Sequence, residues 1–88
     1  MLRTKLVTVT SDPVSLKFED EINNPVSIVI QNLSDEEYVY IGAGDVSTSK
    51  FGVRIPPDGT FDVDLENDDI YACTDGSSVT ISVMSFDI

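Results

Sequence analysis

Apolar and polar residues alternate in short stretches along this chain, and turn residues separate the stretches. Strict two-residue alternation over four to eight positions is the pattern of a half-buried β-strand, because successive side chains point to opposite faces. Leu6-Val7-Thr8-Val9-Thr10 reads as a first, β-branched strand, and Ser11-Asp12-Pro13 ends it. Val14, Leu16 and Phe18 share one face of a second. Glu19-Asp20-Glu21 is an acidic loop and Asn23-Asn24-Pro25 a turn. Val26-Ser27-Ile28-Val29-Ile30-Gln31-Asn32 carries Val26, Ile28 and Ile30 inward; Val29 on the opposite face predicts a central position. Tyr38-Val39-Tyr40-Ile41 follows, with the tyrosines outward, and Gly42-Ala43-Gly44 turns the chain toward Asp45–Ser49.

The second half repeats the pattern. Phe51–Ile55 is a short strand, and Pro56-Pro57-Asp58-Gly59 a turn in which proline presets φ and glycine is expected to take a positive φ. Thr60–Leu65 alternates with Phe61, Val63 and Leu65 toward the core. Ile70–Cys73 is a short strand, Asp75-Gly76 a hairpin turn, and Val79–Val83 the last strand, with room to run on to Phe86. No segment places apolar residues at helical spacing over three turns. The prediction is one all-β domain over residues 1–88, a β-sandwich or barrel of about seven or eight short antiparallel strands. Residues 1–24 are either an N-terminal arm or edge strands.

Size and charge narrow the function classes. With 88 residues, the domain buries only roughly 60–65% of the surface its unfolded chain exposes, so oligomerisation or docking is a natural source of extra stability. Sixteen acidic against five basic residues give a net charge of −11, which repels nucleic acid and anionic membrane surfaces and suits a basic partner. From Ile55 to Ile88 there are eight acids and no Lys or Arg. That half is either a plain solvated face or an electrostatic footprint. Cys73 is the only cysteine, which excludes an internal disulfide, and Met1–Thr10 lacks the apolar core of a signal peptide. A reducing cytoplasm is the expected place of synthesis. No apolar run nears the roughly 20 residues of a membrane helix.

Reactive constellations are sparse. Histidine is absent, which removes Ser–His–Asp and Cys–His arrangements. Cys73, without a basic neighbour in sequence, reads as a half-buried small hydrophobe. The run Asp62–Asp69 invites a calcium reading, but Asp62 and Asp64 lie on one strand face and the glycine and final glutamate of an EF-hand loop are missing. Gly42-Ala43-Gly44-Asp45 lacks the lysine and helix of a phosphate loop. No catalytic residue, cofactor or metal is therefore assigned, and the chain is expected not to be an enzyme. The binding candidates are Tyr38, Tyr40 and Tyr71, which serve either an interface or local packing, with Asp62 and Asp64.

From Tyr38 onward, the order Val39-Tyr40-Ile41-Gly42, Gly44-Asp45-Val46-Ser47-Thr48-Ser49, Gly52, Ile55–Gly59, Phe61, Leu65, Asp68–Ala72 and Val79–Val83 resembles a family of small structural proteins of tailed bacteriophages. The resemblance covers residues 25–88. It implies a virion component assembled in the host cytoplasm: a capsid decoration (cement) protein on the major capsid protein shell, or a tail, baseplate or fibre module. Its partners would be virion proteins, with homo-oligomerisation, a trimer for example, and neither nucleic acid nor membrane. A small sugar- or calcium-binding module is the competing class.

Overall fold

A computed structural model describes residues 2–21 and 24–88. Asn23 of the predicted Asn23–Pro25 turn and Met1 of the possible arm segment lie outside the described residues. The strands are β1 (Arg3–Val9), β2 (Val14–Ser15), β3 (Val26–Asn32), β4 (Val39–Gly42), β5 (Val53–Ile55), β6 (Thr60–Leu65), β7 (Tyr71–Cys73) and β8 (Val79–Asp87). A three-residue 3₁₀ turn, Glu19–Glu21, stands where the acidic loop is expected.

The strands form two four-stranded antiparallel sheets, in the orders β1-β8-β3-β6 and β2-β7-β4-β5. That pair of orders is a double-sheet jelly roll, so the sandwich prevails over the barrel. Only β4 and β5 are both consecutive and paired; every other connection crosses between sheets. The Asp75-Gly76 turn therefore joins β7 in one sheet to β8 in the other and is not a hairpin turn. Local turn chemistry reports a reversal but not which strand becomes the neighbour. Residues 3–9 and 14–15 are edge strands of the two sheets.

Alternation decides which residues fill the space between the sheets. Val26, Ile28 and Ile30 of β3, Ile81 and Val83 of β8, and Val39, Ile41 and Ile55 of the second sheet are buried together with Leu16. Each such side chain contributes on the order of 1.5–3 kcal/mol on removal from water. Val29 is half-buried on the outer face of a strand flanked on both sides, consistent with its central place.

One end of the sandwich is tied by Asn32. Its Nδ2 donates to the carbonyls of Glu37 (2.8 Å), Ile55 (3.2 Å) and Pro56 (3.2 Å), and its Oδ1 accepts from the Ser34 amide. One buried amide thus satisfies backbone groups from two loops. In the Pro56–Gly59 turn the positive φ (60°) belongs to Asp58 and not to Gly59. Aspartate tolerates that conformation through its short polar side chain. Gly59 is required for another reason: a Cβ there would lie 2.9 Å from the Pro56 ring and carbonyl oxygen.

Candidate functional site

A jelly roll has two outer faces and two open margins where the sheets part. On the outer face of the β1-β8-β3-β6 sheet, the register aligns Thr4, Met84, Val29 and Asp62 in one row across all four strands. Neighbouring rows place Leu6 beside Ser82, and Phe86 beside Ser27 and then Asp64. Leu6 is 70% and Phe86 37% exposed, while Met84 and Val29 are half-buried between them. Asp62 and Asp64 are exposed along the β6 side of this apolar spot. Two of the five candidate residues thus fringe one surface, with carboxylates on a single side.

Tyr40 and Tyr71 belong to the other sheet, and Tyr38 immediately precedes its strand β4. The outer face of that sheet is covered by the loop of residues 43–52, which buries Val46 and lays Gly44 against the Tyr71 ring. Tyr40 is half-buried and meets Phe51 edge to face at 5.0 Å. Tyr38 is 41% exposed beneath the Arg54 guanidinium, 4.7 Å from the ring centre. Tyr40 and Tyr71 are therefore engaged in packing, and Tyr38 forms an exposed aromatic–cation pair. The same loop explains Cys73. Alternation predicts it half-buried, but its thiol is fully buried and donates to the Val46 carbonyl oxygen (3.6 Å). Burial pushes its pKa up, away from a reactive thiolate.

At the margin between β1 and β2 the chain closes itself. The segment after β2 continues beside β7, with the Leu16 amide donating to the Ile70 carbonyl, and then passes beneath β1. Leu16 is buried there, and so is Lys17, which alternation places outward. Lys17 Nζ donates to the carbonyls of Asn24 (3.1 Å) and Glu66 (3.1 Å), which makes its burial tolerable. Lys5, facing inward from β1, sets its ammonium 4.3 Å from the centre of the Phe18 ring and donates to the Lys17 carbonyl (3.2 Å). Partial burial lowers the Lys5 pKa. Arg3 pairs with Asp20, and Ser85 Oγ donates to the buried Glu21 carboxylate (2.8 Å).

The opposite margin, between β5 and β6, is open. A cleft of about 340 Å³ enters the sandwich there. Phe61 and Val63 of β6 form one wall; Ile41, Val53 and the small residues Gly42, Ala43 and Gly52 form the other. Asp68, Asp69 and Ile70 close one end. The Asp69 carboxylate is occupied, accepting from Ser15 Oγ and from the Ile70 amide (2.7 Å). Asp68 is exposed and has no ion pair or hydrogen bond among the described residues. Sequence reasoning places Phe61 and Val63 in the core and Asp68 in a loop. The cleft is missed because the strand order that makes β6 an edge is not written in local alternation. Among the described residues no group of three or more His, Cys, Asp or Glu is arranged to hold a metal, and no helix is long and apolar enough to cross a membrane.

No family model matches the sequence, and no curated protein matches it. Among solved structures, the chain is similar to a subunit of Bacillus endospore appendages, described as a novel family of disulfide-linked pili. The TM-score is 0.53 at 5% identity, over 100% of this chain and 88% of that one. It is also similar to a periplasmic inhibitor of g-type lysozyme from Aeromonas hydrophila, with a TM-score of 0.46 at 12% identity over 96% and 83% of the two chains. The first likeness concerns the fold alone, and nothing is built on the second.

Proposed function

We propose that this chain is a non-enzymatic structural protein of a bacteriophage particle, a capsid decoration protein that docks on the major capsid protein shell. The observation that carries the reading is the outer face of the β1-β8-β3-β6 sheet: exposed Leu6 and Phe86 around Met84 and Val29, fringed by Asp62 and Asp64. An apolar centre with a charged rim is the anatomy of a protein-docking surface. The carboxylates steer a basic partner, and many identical copies, as oligomers near symmetry axes, multiply modest contacts. The phage-like sequence pattern of residues 25–88 supplies the particular particle. A second reading, a subunit of a tail or other filamentous appendage, draws support from the use of the same fold in pili. In that case Cys73 would not be the cross-link, because its thiol is buried.

Cryo-electron microscopy of native particles tests the proposal. Density for this chain on the head exterior is the expected result; density confined to the tail selects the appendage reading, and none on the particle rejects both. Leu6→Glu should abolish attachment while leaving the fold intact, since Leu6 is mostly in solvent. Undiminished attachment of that variant would move the docking face elsewhere.

A further inference from the structure

The two margins present the same chemistry with one difference. At the closed margin, an aromatic ring (Phe18) and a carbonyl oxygen (Lys17) receive the ammonium of Lys5. At the open margin, Phe61 and Val63 offer an aromatic and aliphatic wall and Asp68 an unengaged carboxylate, with no lysine among the residues that line the cleft. We infer that the cleft between β5 and β6 is a binding site for an alkylammonium group, the lysine side chain of a basic partner segment.

Charge and shape both select that occupant. An anionic ligand would meet Asp68 at the cleft and a net charge of −11 behind it. A second copy of the chain carries the same −11, and Lys50, on the loop beside the cleft, already pairs with Asp45. A purely apolar group would gain the walls but forgo the carboxylate. A lysine gains both, because its four-carbon stem buries against apolar surface while its head stays at a polar rim. The open backbone edges on either side, β5 paired only to β4 and β6 only to β3, leave room for the segment that carries it.

The inference rests on the docking reading only in assigning the lysine to a protein partner. Its test therefore uses the side-chain chemistry alone. The full chain, isotope-labelled, is titrated with n-butylammonium chloride, n-butanol and sodium butyrate, and amide shifts are followed by NMR. Butylammonium should shift Val53, Val63 and Ile70 saturably, at about fivefold lower concentration than butanol, as a carboxylate contact near the surface allows. Butyrate should leave these amides unmoved. Asp68→Asn, at an exposed position, should erase the advantage over butanol and retain the native spectrum. Equal potency of butylammonium and butanol, shifts mapping to other acidic surfaces, or a preference surviving in Asp68→Asn would each overturn the assignment. A cleft that ignores butylammonium sinks this inference and leaves attachment to the particle to its own experiment.

Discussion

The two margins of the sandwich begin from the same geometric problem and solve it differently. Wherever two sheets part, the inward side chains of the edge strands are left half in water. At the β1–β2 margin the chain spends the segment after β2, from Leu16 to Glu21, on a cover, and charged side chains complete it: Lys5 over Phe18, Arg3 on Asp20, Lys17 on two carbonyls. At the β5–β6 margin the connection is the four-residue turn Pro56–Gly59, far too short to cover anything, and Phe61 and Val63 stay half-exposed. A margin covered by its own chain contributes stability; a margin left open is available to another molecule.

Matched truncations probe that contrast most strongly. Leu16→Ala, beneath the cover, should cost about 3 kcal/mol in urea unfolding, the ordinary loss for a fully buried leucine. Val63→Ala, in the open wall, should cost about 1 kcal/mol or less, because water already reaches it. Equal costs would mean that the two margins are equally filled. Lys17→Met comes next. It preserves the aliphatic stem but leaves the Asn24 and Glu66 carbonyls without their donor, for an expected loss of about 2 kcal/mol. A neutral Lys17→Met would show that apolar packing alone closes this side.

The smallest effect concerns acid. The hydrogen bond from Arg3 holds the Asp20 carboxyl below its ordinary range. A carboxyl depressed in the folded state adds stability above its unfolded pKa and loses that contribution as pH falls through its folded value. Stability curves of the parent and Asp20→Asn should therefore differ at neutrality and merge in strong acid, by a modest amount because the pair is solvent-exposed. A gap that persists in acid would assign the effect to something other than this ion pair.

Much of this was legible in the sequence, and the limits have physical causes. Alternation located the eight strands and oriented Asp62, Asp64, Val29 and Tyr40, because side-chain direction is a local property of the strand. It failed at Lys17, where a cover returning over the core buries a charge that the pattern directs to solvent. It failed at Cys73, where the loop of residues 43–52 adds a layer outside the sheet. It assigned the positive φ of the Pro56–Gly59 turn to the glycine, when the glycine is there for steric room and Asp58 bears the unusual dihedral. The failures at Lys17 and Cys73 involve contact between residues distant in sequence, whereas that at the turn is one of local sterics. The cleft belongs with the first two, since it exists only because β5 and β6 both end up at sheet edges.

The eighth strand in chain order is an interior strand. β8 lies between β1 and β3, so before it emerges the first sheet consists of an unattached β1 and the β3–β6 pair. Assembly of that sheet therefore waits for β8. The outer face that carries Leu6, Met84 and Phe86 is likewise completed only by β8, so chains that still lack β8 do not present that surface for association.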